Sequence, residues 1–400
     1  MVGNDKEIYL DNAATTRVCD AAAQAVQRAM QTDWGNPSSK HDRGLDAEKL
    51  IRNAAVTIAD TLDVKPGEIV FTSGGTESNN MALIGAALAA RRRGDHVIAS
   101  GYEHASVYNP LISLKDFGFE VEFAPVDELG HIKIDELVAM IRPTTVLVSV
   151  MYVNNEVGSV NDIAAIAQAV HGANKDIVFH CDAVQAYGKY IIKPASLGID
   201  LMSASGHKIT APKGSGFLYI KEGIKVRPLI WGGGQQKDRR SGTENVPAIA
   251  GLAAAAEMYY KERREATERL YELKTMFVNA LTTIEGTHVN AVKPEADGSF
   301  TEEEVRKTAP HIVSAGFEGV RAEVLLHALE QSGIYVSSGS ACSSNHPGIS
   351  GTLKAIGVKK ELLDSTLRFS FSFATTREEL EKTIEALREL VPVYARFSRR

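Results

Sequence analysis

The sequence predicts an α/β fold in which helices cover both faces of a mainly parallel sheet. Short apolar runs rich in Val, Ile and Phe alternate with helical patterns along the chain. This alternation is typical of βαβ units, and continuous apolar runs are typical of strands buried on both faces. The predicted strands are 69–71, 97–99, 121–125, 146–150, 177–180, 201–203 and 217–220, and the predicted helices between and around them are 20–31, 77–93, 135–141 and 162–171.

A longer helical pattern over 248–274 marks the end of this alternation. We expect it to lead from a large domain, residues 15–266, into a smaller α/β domain, residues 267–400, with segment 1–14 packing on the smaller domain. The alternative is that the later residues extend the first core. One further helix is predicted near the end of the chain, because apolar residues recur at helical spacing at 380, 384, 387, 391 and 394.

The composition favours a folded protein that acts on small molecules or other proteins. Of the 400 residues, 44% are hydrophobic and 24% are charged, close to the globular average. The formal net charge of −6 gives no net attraction to nucleic acid or to an anionic membrane. Apolar stretches such as 81–90 are well short of the ~20 residues that cross a bilayer. We therefore expect neither nucleic acid nor a membrane as a partner.

The N-terminus and the cysteines predict a cytoplasmic protein with reduced thiols. The string MVGNDKEIYLDNAATT has neither the apolar stretch of a secretory signal nor the Arg/Ser-rich helix of a mitochondrial one. The three cysteines, Cys19, Cys181 and Cys342, are odd in number and form no Cys-x-x-Cys pair. This usage argues against a disulfide framework or a zinc site, so we expect no bound metal.

The string SGGTESNN at 73–80 follows a predicted strand and opens a helix. The backbone N–H groups of such a turn and the Thr76 hydroxyl suit a phosphate group, which the helix dipole favours further. Thr76 is equally suited to cap the helix, so both interpretations stay open at this point. The string matches neither the nucleotide P-loop nor the dinucleotide Gly-x-Gly-x-x-Gly pattern.

Two further strings, HCDAVQA at 180–186 and SASGHK at 203–208, follow neighbouring strands. Open α/β sheets bind ligands at the carboxyl ends of strands, where these strings place Asp182 and Lys208. Such a pair suits pyridoxal phosphate, because a lysine forms the Schiff base and a carboxylate keeps the pyridine nitrogen protonated. An isolated Asp is more often a helix cap, and an isolated Lys is more often a surface residue.

In this order, the strings YLDNAATT, GNPSS, FTSGGTESNN, HCDAVQ, SASGHK, RRSGTEN and SSGSACSS resemble the cysteine desulfurase family. The resemblance covers nearly the whole chain and points to the NifS/IscS-like branch of the class-V aminotransferases. It implies a fold-type I, aspartate aminotransferase-like homodimer that binds pyridoxal phosphate. The implied reaction removes sulfur from L-cysteine, leaves L-alanine and passes the sulfur to an acceptor such as an iron-sulfur scaffold protein.

The resemblance also implies roles for individual residues. Lys208 resembles the Schiff-base lysine, Asp182 the pyridinium partner and Gln185 the donor to the 3-hydroxyl group. The implied phosphate ligands are Gly75 through its backbone, Thr76, Ser205, His207 and, contributed by the other subunit, Thr243.

The remaining implied roles concern the substrate and the sulfur. His104 resembles the imidazole that stacks on the pyridine ring and moves protons, although a capping or core histidine is the ordinary interpretation. Asn155, which also borders the cofactor, and Arg368 resemble the groups that hold the substrate carboxylate. Cys342 lies in a Ser/Gly-rich stretch that is typical of a mobile loop, and it resembles the cysteine that takes the sulfur as a persulfide.

The sequence departs from the family pattern at two places. Ser372 and Phe373 stand where the family usually has Gly-Arg, and Gln236 stands where Glu is common. These departures bear on dimer contacts, partner docking or activity level rather than on the type of reaction. The competing hypotheses are an aminotransferase or a selenocysteine lyase of the same fold, and a non-catalytic sulfur-relay protein. The cysteine in a loop argues against an aminotransferase, which needs no thiol.

Overall fold

The computed structural model describes residues 7–338 and 350–398. In chain order its strands are β1 Ile8–Tyr9, β2 Ile69–Thr72, β3 His96–Ser100, β4 Glu120–Ala124, β5 Thr145–Ser149, β6 Val178–Asp182, β7 Leu201–Ser205, β8 Gly216–Ile220, β9 Thr287–Val289, β10 Ile312–Phe317, β11 Ile334–Tyr335, β12 Ser337–Ser338 and β13 Thr366–Ser370. Its helices are α1 Asp20–Gln31, α2 Asp42–Leu62, α3 Gly75–Ala90, α4 Ala105–Ser113, α5 Ile134–Ala139, α6 Ile163–Ala173, α7 Pro194–Leu197, α8 Val246–Thr282, α9 Glu302–Arg306, α10 Ala322–Gln331, α11 Gly351–Ala355 and α12 Arg377–Ser398.

The main sheet has seven strands in the order β2-β8-β7-β6-β5-β3-β4. Strands β7, β6, β5, β3 and β4 run parallel, whereas β8 runs antiparallel to both β7 and β2. This arrangement confirms the predicted α/β fold with a mainly parallel sheet. The reversal at β8 has a simple cause, since the short link from β7 contains only a single 3₁₀ turn, too little chain for the crossover that a parallel neighbour needs.

Every predicted helix is present, and α1 has the predicted bounds. Among the described helices, the sequence analysis missed α4, α7, α9, α10, α11 and the much longer α2. Its N-cap is His41, whose Nδ1 accepts a hydrogen bond from the backbone N–H of Gly44 at 3.3 Å, and histidine is not a typical capping residue. The apolar side of α2 nevertheless follows helical spacing, with Ala47, Ile51, Ala54, Ile58 and Leu62 buried.

A second sheet, in the order β12-β13-β10-β9, has its own apolar core. Phe277 of α8 packs edge-on against Phe369 and Phe371 with ring centroids 5.3 and 5.6 Å apart. The predicted stripe on α12 is buried at Leu380, Ile384, Leu387 and Val391. Helix α8 crosses the predicted boundary at 266/267 without a break. Strand β1 pairs in parallel with β11. The proposed domain limits themselves stay predictions.

In the described part of the chain, none of the helices has the length and apolar character needed to cross a membrane.

The buried imidazole of His180 in β6 should make the folding stability depend on pH. Its Nδ1 lies 2.8 Å from Ser149 Oγ and its Nε2 lies 3.0 Å from Ser203 Oγ, and burial lowers its pKa to about 3. An unfolded histidine binds a proton near pH 6.5, whereas the folded one does so only near its lowered pKa. The stabilisation that comes from the neutral His180 is therefore fully present above about pH 6.5. It falls on acidification by about 1.4 kcal/mol per pH unit.

The His180→Gln variant isolates this contribution, because it keeps a hydrogen-bonding side chain but cannot take up the proton. Urea unfolding of both proteins between about pH 7 and about pH 4 should show the wild-type advantage shrinking as the pH falls. Parallel stability curves for the two proteins would contradict the buried, neutral imidazole.

Candidate functional site

A cavity of about 260 Å³ opens at the carboxyl ends of the parallel strands of the main sheet. Nine of the twelve predicted site residues line it, and they come from five separate stretches of chain. The parallel register explains the meeting, because Asp182 at the end of β6 pairs with Ser203, which places the end of β7 and the following 3₁₀ turn Gly206–Lys208 beside it.

One side of the cavity is formed by the start of α3. Its N-cap is Gly74, with φ of +150°, so the interpretation of Thr76 as the cap is wrong; Thr76 lines the cavity instead. Among the described residues, no side chain caps this helix. A Cβ on Gly75 would lie 2.7 Å from Val184 Cγ2, so the close approach of the turn requires glycine.

Ser205 and His207 complete this side of the cavity. Burial, with a smaller contribution from the Lys208 charge, lowers the pKa of His207 to about 4, so its imidazole is neutral. Its Nδ1 lies 3.3 Å from Thr15 Oγ1. The uncapped helix N-terminus, hydroxyl groups and a neutral imidazole together suit an anion such as phosphate.

Asp182 lines the same cavity at the end of β6 and is 5% exposed. Its Oδ2 accepts a hydrogen bond from Asn79 Nδ2 at 2.8 Å, and its Oδ1 accepts one from the backbone N–H of Val184 at 2.9 Å. Asn79 also donates to Ser106 Oγ at 2.9 Å. No helix begins here, so the interpretation of Asp182 as a helix cap is wrong, and its carboxylate is held at the cavity wall.

The Lys208 amine lies in the cavity and not on the surface. Its Nζ donates to the carbonyl oxygens of Ala13 at 2.6 Å and Ala14 at 2.7 Å. Gln185 Nε2 donates to the same Ala13 carbonyl at 2.9 Å, and Gln185 Oε1 lies 3.2 Å from His311 Nε2. The N-terminal string YLDNAATT therefore forms one wall of the site.

His104 both caps α4 and lines the cavity, so the two interpretations of this residue hold together. Its Nδ1 accepts a hydrogen bond from the backbone N–H of Ser106 at 3.1 Å, which assigns the ring proton to Nε2. Burial lowers the pKa of His104; the charges of Lys208 and Arg368 act in the same direction and that of Asp182 opposes them. The imidazole is therefore neutral with a donor at Nε2.

Arg368 lies beside the cavity, 2% exposed, but is not part of its lining. Its Nη1 donates to the carbonyl oxygen of Asn155 and its Nη2 to Asp11 Oδ1, both at 2.8 Å. Its buried Nε has no hydrogen-bond partner among the described residues. Asn155 lines the cavity, and the hydrogen bond from Arg368 to the Asn155 carbonyl oxygen links Arg368 to the site. A substrate carboxylate would compete with Asp11 for the guanidinium group.

Cys342 lies outside the described residues, and the structure describes the chain on both sides of it. Before it, Ser337 of β12 is paired with Arg368 of β13. After it, Ser350 Oγ donates to Glu156 Oε2 at 2.5 Å and Thr352 Oγ1 to Glu156 Oε1 at 3.2 Å. The two ends of segment 339–349 are thus fixed next to Arg368 and next to Asn155.

The other two cysteines differ from each other. Cys181 is fully buried in β6, and burial raises its pKa well above the ordinary value, as expected of an unreactive core thiol. Cys19 is partly exposed. It precedes α1 at the N-cap position.

Thr243 lines a second cavity of about 140 Å³ and not the first. The loop that carries Thr243 is tied to α3 by Arg240, whose Nε lies 2.8 Å from Glu77 Oε1. Gln236 accepts a hydrogen bond from the backbone N–H of Phe71 at 3.0 Å and donates to Glu244. A glutamate at 236 could accept the first bond but not donate the second, so the departure from the family pattern fits the neighbouring Glu244.

Sequence reasoning missed three residues that organise the site: Asn79 on Asp182, Asp11 on Arg368, and Glu156 on Ser350. Asp11 and Asn79 lie inside strings that the analysis quoted for other residues, and Glu156 directly follows Asn155. Their partners are more than 100 residues away in the sequence, so no local pattern indicated them.

Comparisons with known proteins agree with this geometry. The profile of the family described as aminotransferase class-V matches residues 8–383. A cysteine desulfurase IscS of Methanosarcina thermophila is 40% identical over 387 residues, covering 97% of this chain and 92% of that protein.

Two solved structures are also similar. A NifS-like protein superposes with a TM-score of 0.89 at 34% identity, covering 97% of this chain and all of the other. SspA in complex with cysteine superposes with a TM-score of 0.77 at 32% identity, covering 91% of this chain and 98% of the other. The predicted fold-type I architecture and the resemblance to the cysteine desulfurases are confirmed. The chain belongs to the class-V aminotransferase family.

Proposed function

We propose that this protein is a pyridoxal-phosphate-dependent cysteine desulfurase that passes sulfur from L-cysteine to Cys342. The observation that carries the proposal is the meeting of Lys208 and Asp182 in one cavity beside the uncapped start of α3. The relative at 40% identity is named a cysteine desulfurase, and the similar SspA structure holds cysteine. The products are L-alanine and a persulfide on Cys342, so the atoms of cysteine and of the thiol are all accounted for.

Pyridoxal phosphate is the cofactor of this family, and the described residues fit it. The start of α3, Ser205 and the neutral His207 offer hydrogen-bond donors to a phosphate. The buried Asp182 carboxylate can hold a proton on the pyridine nitrogen, and the Lys208 amine can form the covalent bond. When bound, the group supplies an electron-withdrawing ring that stabilises negative charge at the substrate Cα.

The side chains around the cavity supply proton transfer and orientation. The Lys208 amine, once free of the cofactor, takes the Cα proton, for which it must be neutral. His104 carries a donor at Nε2 and can return a proton to the product. Asn155 and Arg368 hold the substrate carboxylate, which fixes the direction of the Cα–H bond.

The sulfur step uses Cys342 as a thiolate nucleophile. Its sulfur attacks the substrate sulfur, an S–S bond forms and the Cβ–S bond breaks, while the electron pair remains with the carbon fragment that becomes alanine. The fixed ends of segment 339–349 next to Arg368 and Asn155 support this role, because they tie both ends of the segment close to the substrate-binding residues. A reducing cytoplasm would keep the thiol available.

We further propose that two chains form a homodimer in which Thr243 contacts the phosphate bound by the other chain. The position of Thr243 outside the main cavity of its own chain supports this arrangement. The exposed Trp231, which precedes the same loop, offers apolar surface to a second chain. The sulfur acceptor is proposed to be a scaffold protein for iron-sulfur clusters.

Replacing Cys342 tests the proposed sulfur step. We expect Cys342→Ser to keep the visible absorption of the bound cofactor and to lose persulfide and sulfide formation, because serine cannot accept the sulfur. The measurement is a single turnover with L-cysteine, scoring alanine and the mass of the peptide that contains residue 342. Cys19→Ser, at the partly exposed cysteine, is the matched control and should retain activity. Undiminished sulfide release by Cys342→Ser would remove this residue from the reaction.

Mixing two inactive variants tests the contribution of Thr243 to the other subunit. Thr243→Asp repels the phosphate, and Lys208→Ala removes the amine, so each homodimer should be inactive. After unfolding and refolding together, random pairing gives heterodimers with one complete site, and activity should return to about a quarter of the wild-type value. If Thr243 served its own chain, the mixture would stay inactive, since no chain would carry both residues.

A further inference from the structure

Two lysines among the described residues are buried, which is rare for this residue type. Lys189 is 4% exposed and Lys274 is 1% exposed. Lys274 Nζ donates to Thr308 Oγ1 and to the Ala309 carbonyl oxygen, so it joins α8 to the segment before β10. Lys189 has a different neighbourhood, and the proposed function leaves it without a role.

The Lys189 amine lies directly beneath the backbone of the proposed Schiff-base lysine. Its Nζ donates a hydrogen bond to the carbonyl oxygen of Lys208 at 2.7 Å. The same Nζ lies 5.6 Å from the centroid of the Tyr259 ring, a distance at which a cation is attracted to the ring face. The hydrogen bond fixes the peptide group from which the Lys208 side chain extends.

The turn that carries Lys189 is closely packed on both neighbours. Gly188 has φ of +83°, and a Cβ there would lie 2.7 Å from Ile209 Cγ2 and 2.9 Å from Tyr259 Cδ1. Ile209 directly follows Lys208, so the turn lies against the same stretch of chain that the Lys189 amine holds. The position of the amine is therefore set by packing as well as by its hydrogen bond.

Phe373, one of the departures from the family pattern, supports this arrangement from the other side. Its ring stacks on Tyr259 with centroids 4.1 Å apart and an interplanar angle of 23°. Its carbonyl oxygen accepts a hydrogen bond from Arg269. The Tyr259 ring is thus held between Phe373 and the Lys189 amine, and an aromatic residue at 373 adds no charge to this stack.

The charged and titratable groups around Lys189 come from three other elements. Lys208 and His207 lie in the turn after β7, His311 precedes β10, and Tyr259 lies in α8. Burial first, and the Lys208 charge second, lower the pKa of Lys189 to about 7. Electrostatic interaction is reciprocal, so a positive charge at 189 also disfavours a positive charge at 208.

We propose that Lys189 is a positioning residue for Lys208, which holds its backbone carbonyl and whose protonated amine disfavours a positive charge on the Lys208 nitrogen. The inference rests on the proposed function, in which Lys208 removes the Cα proton and must be neutral to do so. A neighbouring cation is a known means of activating a lysine amine. Lys189 touches neither substrate nor cofactor in this scheme and acts only through Lys208.

The test is a pH titration of the visible absorption band of the cofactor-loaded protein without cysteine, which reports protonation at the Lys208 nitrogen. We expect Lys189→Met, which keeps the length of the side chain and removes its charge, to move the midpoint upward by about one pH unit. Lys274→Met is the matched control, because it removes an equally buried lysine that does not bond to Lys208, and it should keep the wild-type midpoint.

Lys189→Gln repeats the test with a shorter polar side chain in case Lys189→Met does not fold, and the same upward shift is expected. An unchanged midpoint in a folded Lys189 variant, or an equal shift in Lys274→Met, would overturn the inference. The proposed function fails separately, if the wild-type protein binds the cofactor and shows the band but produces no alanine from cysteine.

Discussion

The parallel pairing of β6 with β7 is the constraint on which the site depends. Because the two strands end at the same edge of the sheet, Asp182 and the turn that carries Lys208 meet without any long-range loop to bring them together. Strand β3, which pairs in parallel with β5 of the same sheet, ends at this edge as well and leads to His104. The chemistry is thus placed by backbone hydrogen bonds, which are the least adjustable part of the fold.

The N-terminal string then closes the site from outside the main sheet. The carbonyl oxygens of Ala13 and Ala14 accept hydrogen bonds from the Lys208 amine, and the Asp11 carboxylate accepts one from Arg368. The Ala13 backbone N–H donates to Ser370 Oγ at 2.8 Å, so the same short segment is tied to β13 of the second sheet. A change in the second sheet therefore reaches Lys208 through only a few bonds.

The sequence predicted the seven strands of the main sheet, six of the twelve described helices and nine residues of the cavity, because strand ends and local strings carry that information. It did not predict what depends on contacts distant in the chain. The 357-residue separation of Asp11 and Arg368 left no local signal, and no local string indicated Lys189. Strand direction was also hidden, since the apolar run of β8 is the same in either orientation.

The two buried lysines among the described residues share one electrostatic feature. Lys189 and Lys274 donate to carbonyl oxygens, which carry no full negative charge, and burial lowers the pKa of both amines to about 7. Burial, and after it the charges of Lys189 and Lys274 when these amines are protonated, lower the pKa of His311, and the Lys189 charge also adds to the burial that lowers the pKa of His207. Because burial keeps the His207 imidazole neutral, a phosphate bound at the start of α3 would be held there by hydrogen bonds rather than by a charged imidazole.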